Sequence, residues 1–137
     1  MQPSYKTTQL HGWGIAVLRV VTGYLFLASG VHKLFIEDLS QLGVSLPLPV
    51  LAAISLGEIL CGAALVVGLL TRWVSIPLAL LMVVDILVLH LPYAFFEQDR
   101  GYEYASLRLA ASVTLALTGS GNKVALDNIL LIRRGPK

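Results

Sequence analysis

The sequence predicts an all-α integral membrane protein: a four-helix bundle running up-down-up-down, with a short C-terminal interfacial helix. Three observations lead there. The 137 residues are 56% hydrophobic and 13% charged, with a mean hydropathy of +0.78, whereas a soluble domain averages about 25% charged residues. Four apolar segments approach or exceed the roughly 20 helical residues that cross a ~30 Å hydrocarbon core. The connections between them are short, which forces neighbouring helices to run antiparallel. Residues 1–137 therefore read as one transmembrane domain.

The first helix is expected over 13–35. It is longer than the ~7–15-residue apolar region of a signal peptide, Arg19 interrupts it, and no small-residue cleavage site follows, so it reads as a retained span. The second is expected over 48–70, after "IEDLSQLGVSLPLP", whose closing prolines fit a helix start. "TRW" makes a hairpin into the third, over 74–96, and "EQDRG" leads to the fourth, over 102–119, which carries Glu103 and Arg108. "GSG" at 119–121 stops a helix. The segment over 123–133, with Asn122 as cap, is apolar, ends in arginines and is too short to span. It reads as a helix lying on the cytoplasmic leaflet.

Lysine and arginine in the flanks set the orientation. Lys6, Arg72, Lys123, Arg133, Arg134 and Lys137 fall on one side, and Lys33 and Arg100 on the other. Six against two puts both termini in the cytoplasm. Trp13 and Trp73 then sit at the cytoplasmic interface, Tyr93 and Tyr102 near the outer one. A net charge of +2 argues against a nucleic-acid partner. The single cysteine, Cys61, cannot form a disulfide within the chain and packs in an apolar run.

Two helix faces stand out. Arg19, Gly23, Phe26, Gly30 and Lys33 recur at steps of four and three, and so do Glu58, Gly62, Leu65, Leu69 and Arg72. Small residues on such a face let helix backbones approach closely in lipid.

The ionisable groups inside the spans are the candidate site. At ~1.5 Å per residue, Glu58 lies about 21 Å in from Arg72, Asp85 about 18 Å from Trp73, and Arg108 about 20 Å from Gly121. Three helices thus place three ionisable groups in one layer. Unpaired, they would cost about 8–10 kcal/mol together, which rivals the ~5–15 kcal/mol stability of a typical domain. The expectation is that Arg108, with its planar fork, is shared by Glu58 and Asp85, and that one carboxylate exchanges a proton. Tyr24, about 16 Å in, and His90, about 25 Å in, are the candidate hydrogen-bond partners. Arg19, about 9 Å in, is expected to snorkel to the cytoplasmic face or meet Asp127. His32 and His90 on the outer side leave bis-histidine haem ligation open. The chain nevertheless has no His-x-x-x-His pair and no Cys-x-x-Cys-His, and no metal site is expected.

"RVVTGYLFLASGVHKL", "GEILCGAALVVGLLTRW" and "LTGSGNKVALDNIL" resemble the first-helix, second-helix and closing signatures of the DoxX family, and "GYEYASLRLA" its glutamate-led fourth helix. The resemblance covers nearly the whole chain. It implies a multi-pass protein of the bacterial inner membrane. Members take their name from a subunit linked to thiosulfate:quinone oxidoreductase, and others are associated with quinone stress or membrane redox partners. The family-motif positions are Arg19, Gly23, Gly30, Lys33, Glu58 and Arg72, carried over without assigned roles. Asp85 and Arg108 stand where the family pattern is more often apolar.

Three functions are compatible with these features. The first is a quinone-linked redox component, with a quinone held non-covalently near Glu58, Asp85 and Arg108 and electrons delivered by a partner subunit. The second is a non-catalytic membrane subunit that recruits partner proteins. The third is a carrier for a small amphipathic solute. Lipid, a redox subunit and further copies of the chain are the partners these readings allow. Nothing in the sequence establishes that the protein is an enzyme.

Overall fold

The computed structural model describes residues 5–35, 47–87, 102–121 and 125–126. These residues are all-helical, with four helices: α1 (Tyr5–Phe35), α2 (Leu48–Val67), α3 (Thr71–Asp85) and α4 (Glu103–Thr118). Two of them are long and apolar enough to cross a membrane, α1 over Leu10–Phe35 with mean hydropathy 1.7 and α2 with 2.3.

Several boundaries differ from expectation. The helix over 13–35 begins instead at Tyr5, because hydrophobicity marks the span whereas the helix propagates through "YKTTQLHG", which has no proline to stop it. The helix over 48–70 ends at Val67. Gly68 takes the left-handed conformation (φ 74°, ψ 41°). Its N–H donates to the Leu65 carbonyl at 3.1 Å, and that of Leu69 to the Ala64 carbonyl at 2.9 Å, the paired bonds of a Schellman cap. The third helix starts at Thr71, three residues early, after Leu70 in a second left-handed position, so Pro77 lies inside α3. Beyond Asp85 a π-helical turn covers Ile86 and Leu87. The remainder expected for that helix, with His90, lies outside the described residues, as does all of 123–133 except Ala125 and Leu126.

The helices pack antiparallel, α1 most extensively on α2 and α3 on α4. The α1–α2 contact runs through glycine: a Cβ on Gly23 would lie 2.7 Å from the Gly62 carbonyl oxygen, and one on Gly62 2.7 Å from that of Gly23. Neither position has room for a side chain. Phe26 of α1, Leu65 of α2, Leu78 and Met82 of α3 and Leu115 of α4 form one shared core.

Polarity is inverted relative to a soluble fold. Among the described residues eight polar or charged ones are buried, as many as the buried hydrophobics, and they include Arg19, Glu58 and Arg108. Val17, Val20, Val21, Leu56, Leu60, Leu80, Val84, Leu107 and Leu117 face outward. Apolar outer surface over that extent matches a lipid surround, where polar side chains turn to the bundle interior.

Candidate functional site

Two groups of polar side chains lie toward opposite ends of the described helices; in the first, Arg19 is buried and Arg72 exposed. The first gathers at the C-terminal end of α4. Arg19, 1% exposed, donates from Nη1 to the Ser120 carbonyl at 3.0 Å. Arg72 donates from Nη2 to the Leu117 carbonyl at 3.0 Å. Both cations thus hold carbonyls at or just beyond the end of α4 that lack a helical partner, and they face the negative end of its dipole. Gly68 makes room for Arg19: a Cβ there would lie 2.5 Å from Nη1. Burial is the correction to the expectation that Arg19 snorkels. The alternative partner, Asp127, lies outside the described residues.

The second group is the candidate site. Gly30 of α1 abuts α2 so closely that a Cβ on it would lie 2.7 Å from the Ser55 carbonyl oxygen and 3.0 Å from the Glu58 Cβ. One turn on, Lys33 Nζ donates to Glu58 Oε1 at 2.8 Å, with the Glu58 side chain fully buried and the Lys33 side chain 22% exposed. From α4, Arg108 lies with its guanidinium 4.0 Å above the Phe26 ring and 5.5 Å from that of Tyr104. Its Nη1 donates to Ser29 Oγ at 3.3 Å. The charges of Glu58 and, more weakly, Asp85 act on it through space. Asp85 is half-buried at the end of α3, where the α-helical pattern gives way to the π turn.

The charges of Glu58 and Asp85 both reach Arg108, but Glu58 is not ion-paired with Arg108 as expected. The ion-pair partner of Glu58 is Lys33, which the sequence placed among the flanking charges. Tyr24 does not join the layer: it is 64% exposed on the outer surface, because it follows Gly23 by one residue and so points about 100° away from the packed face. His32 is exposed. Sequence reasoning also missed Ser29 and Ser55. Their signal was there: Ser55 is three residues before Glu58, and Ser29 three after Phe26, each on a buried helix face.

The hydrogen-bonding state of this layer is uneven. Ser112 Oγ satisfies itself within its own helix, on the carbonyl of Arg108 at 2.8 Å. In contrast, Glu58 Oε2, Ser55 Oγ, and Nε and Nη2 of Arg108 are buried without a hydrogen-bond partner among the described residues. Each such group costs about 1–3 kcal/mol, more when charged. Donors of one charge and an acceptor of the other are thus held unsatisfied at neighbouring positions. No group of three or more His, Cys, Asp or Glu suited to a metal ion occurs among the described residues.

Comparison with curated proteins and with solved structures finds no match. The DoxX family model matches residues 14–91. That stretch holds 78 of the 137 residues and carries α1 from Gly14 onward and all of α2 and α3, with Arg19, Lys33, Glu58 and Arg72. The chain belongs to the DoxX family, a membrane-associated family.

Proposed function

We propose that this protein is the membrane component of a quinone-linked redox system, with a quinone head group binding beside Arg108. The observation that carries this reading is the pair of buried N–H donors of Arg108, Nε and Nη2, that no described residue satisfies. They suit a carbonyl oxygen. The Phe26 ring beneath the guanidinium fixes its plane, and Ser29 holds its third nitrogen. An open groove lined by Glu103, Tyr104, Ser106 and Leu107 lies one turn before Arg108 on α4, and Tyr104 borders both. It offers a lateral way in from the lipid. When bound, a quinone supplies carbonyls that accept electrons and protons. Arg108 would orient the head group and favour negative charge on its oxygen, and Glu58 Oε2 would hold or release the proton. Electrons come from a partner subunit that carries its own redox cofactor. The topology that goes with this is a multi-pass, up-down-up-down bundle in the bacterial inner membrane, with both termini cytoplasmic.

The test is to purify the protein in mild detergent and identify co-purifying small molecules by mass spectrometry. A stoichiometric quinone that is lost in Arg108→Ala is the expected result. Bulk lipid alone would refute the reading and leave a partner-recruiting subunit in its place.

A further inference from the structure

The donors of Arg108 are used unevenly. Nη1 donates to Ser29 Oγ at 3.3 Å. Nε and Nη2 are buried with no hydrogen-bond partner among the described residues. These two nitrogens share one edge of the planar guanidinium. Their N–H bonds on that edge run parallel and form the fork with which an arginine grips two oxygens at once. The Phe26 ring, 4.0 Å from the guanidinium carbon, covers a face of the group, so the unmatched donors lie along an edge and not over a face.

Carboxylates in range leave this fork alone. The charges of Glu58 and Asp85 both reach Arg108, yet Glu58 binds Lys33 through Oε1 at 2.8 Å, and neither carboxylate hydrogen-bonds to Nε or Nη2. The fork narrows what a ligand must present. A lone carbonyl oxygen has to be shared by two N–H bonds, whereas two neighbouring, coplanar oxygens give each donor its own acceptor. Among the described residues the charges at the site are Lys33 and Arg108 against Glu58 and Asp85, two of each sign. A neutral ligand keeps that balance. A carboxylate or phosphate adds a third negative charge to a buried site.

Within the reading of a quinone beside Arg108, on which this inference rests, we propose that the fork selects a quinone with an oxygen substituent next to its carbonyl, an alkoxyquinone. Nε and Nη2 each donate to one of two vicinal oxygens, one to the carbonyl and the other to the ether oxygen beside it. A quinone with only hydrocarbon at that position offers the carbonyl alone and leaves a buried, charged donor unmatched, which weakens its binding.

The test uses two short-tailed quinones with the same tail, one carrying two adjacent methoxy groups on the ring and the other two methyl groups at the same positions. Each is titrated by calorimetry into the purified protein in detergent, and its affinity is corrected for partition into protein-free micelles. The dimethoxy probe is expected to bind about 10-fold more tightly, the low end for one charge-assisted hydrogen bond. Arg108→Lys keeps the charge but donates as a point and not as a fork, and is expected to bring the two affinities together. Equal affinities in wild type, or an undiminished preference in folded Arg108→Lys, would overturn the selection and leave the quinone reading standing. Binding of neither probe would overturn both. Where Arg108→Lys does not fold, the corrected wild-type preference decides alone.

Discussion

Glu58 and Lys33 meet at 2.8 Å with the carboxylate wholly inside the protein. Removing one partner of such a pair leaves an uncompensated charge, which costs about 3–5 kcal/mol. Lys33→Met is therefore expected to destabilise the protein by about 3 kcal/mol, at the low end because Arg108 remains near. Adding Glu58→Leu to Lys33→Met is expected to recover most of that loss. Equilibrium unfolding in mixed micelles measures both, and a double variant no better than Lys33→Met would show that the pair does not act as a unit. The sequence located Glu58 and Arg108 at a common depth, since rise per residue is enough for that. It did not pair them correctly, because pairing depends on how near two helices come. Gly30 sets that distance by letting Ser55 and Glu58 lie against α1. Lys33 was legible as part of the Gly23–Phe26–Gly30 face, yet at the end of a span its charge also fits a flank. Tyr24 shows the converse: depth alone admitted it, and helical phase excludes it.

At the scale of the elements, glycine does the placing. Gly23 and Gly62 touch backbone to backbone, so Gly62→Leu forces α1 and α2 apart and takes Lys33 away from Glu58. The expected outcome is loss of the folded species in detergent, seen by size-exclusion chromatography, whereas Gly14→Ala, with nothing within 4 Å of its added Cβ, leaves the profile unchanged. Gly68 has a different duty. It caps α2 in the left-handed conformation and makes room for Arg19. Gly68→Ala meets both a conformational penalty of about 1–2 kcal/mol and the Arg19 guanidinium, and a thermal melt is expected to shift down accordingly. The glycine periodicity and the four helices were plain in the sequence. The helix ends were not, since apolar runs continue through Leu69 and Leu70, where backbone conformation, not hydropathy, stops the helix. The early start of α1 has the same origin: polar residues extend a helix that hydropathy cannot see.

Among the described residues many apolar side chains face outward while Arg19, Glu58 and Arg108 are buried, and at the scale of the molecule the sequence was most informative, because composition and span length are bulk properties. The two polar groups, α4 clamp at one end and ion-pair layer toward the other, define its axis. With the clamp at the cytoplasmic interface, Arg72→Cys in a Cys61→Ala background is expected to react with a membrane-impermeant thiol reagent in inverted vesicles and not in intact spheroplasts. Labelling in spheroplasts would reverse the topology. The central claim is that Arg108 offers buried donors to a ligand head group, and the direct test is the affinity of purified protein for a short-tailed quinone, measured by titration calorimetry in detergent for wild type and Arg108→Gln. A charged hydrogen bond contributes about 1.5–3 kcal/mol, so Arg108→Gln is expected to bind on the order of 10- to 100-fold more weakly. Equal affinity in the two folded proteins, or no binding by wild type, would contradict the account.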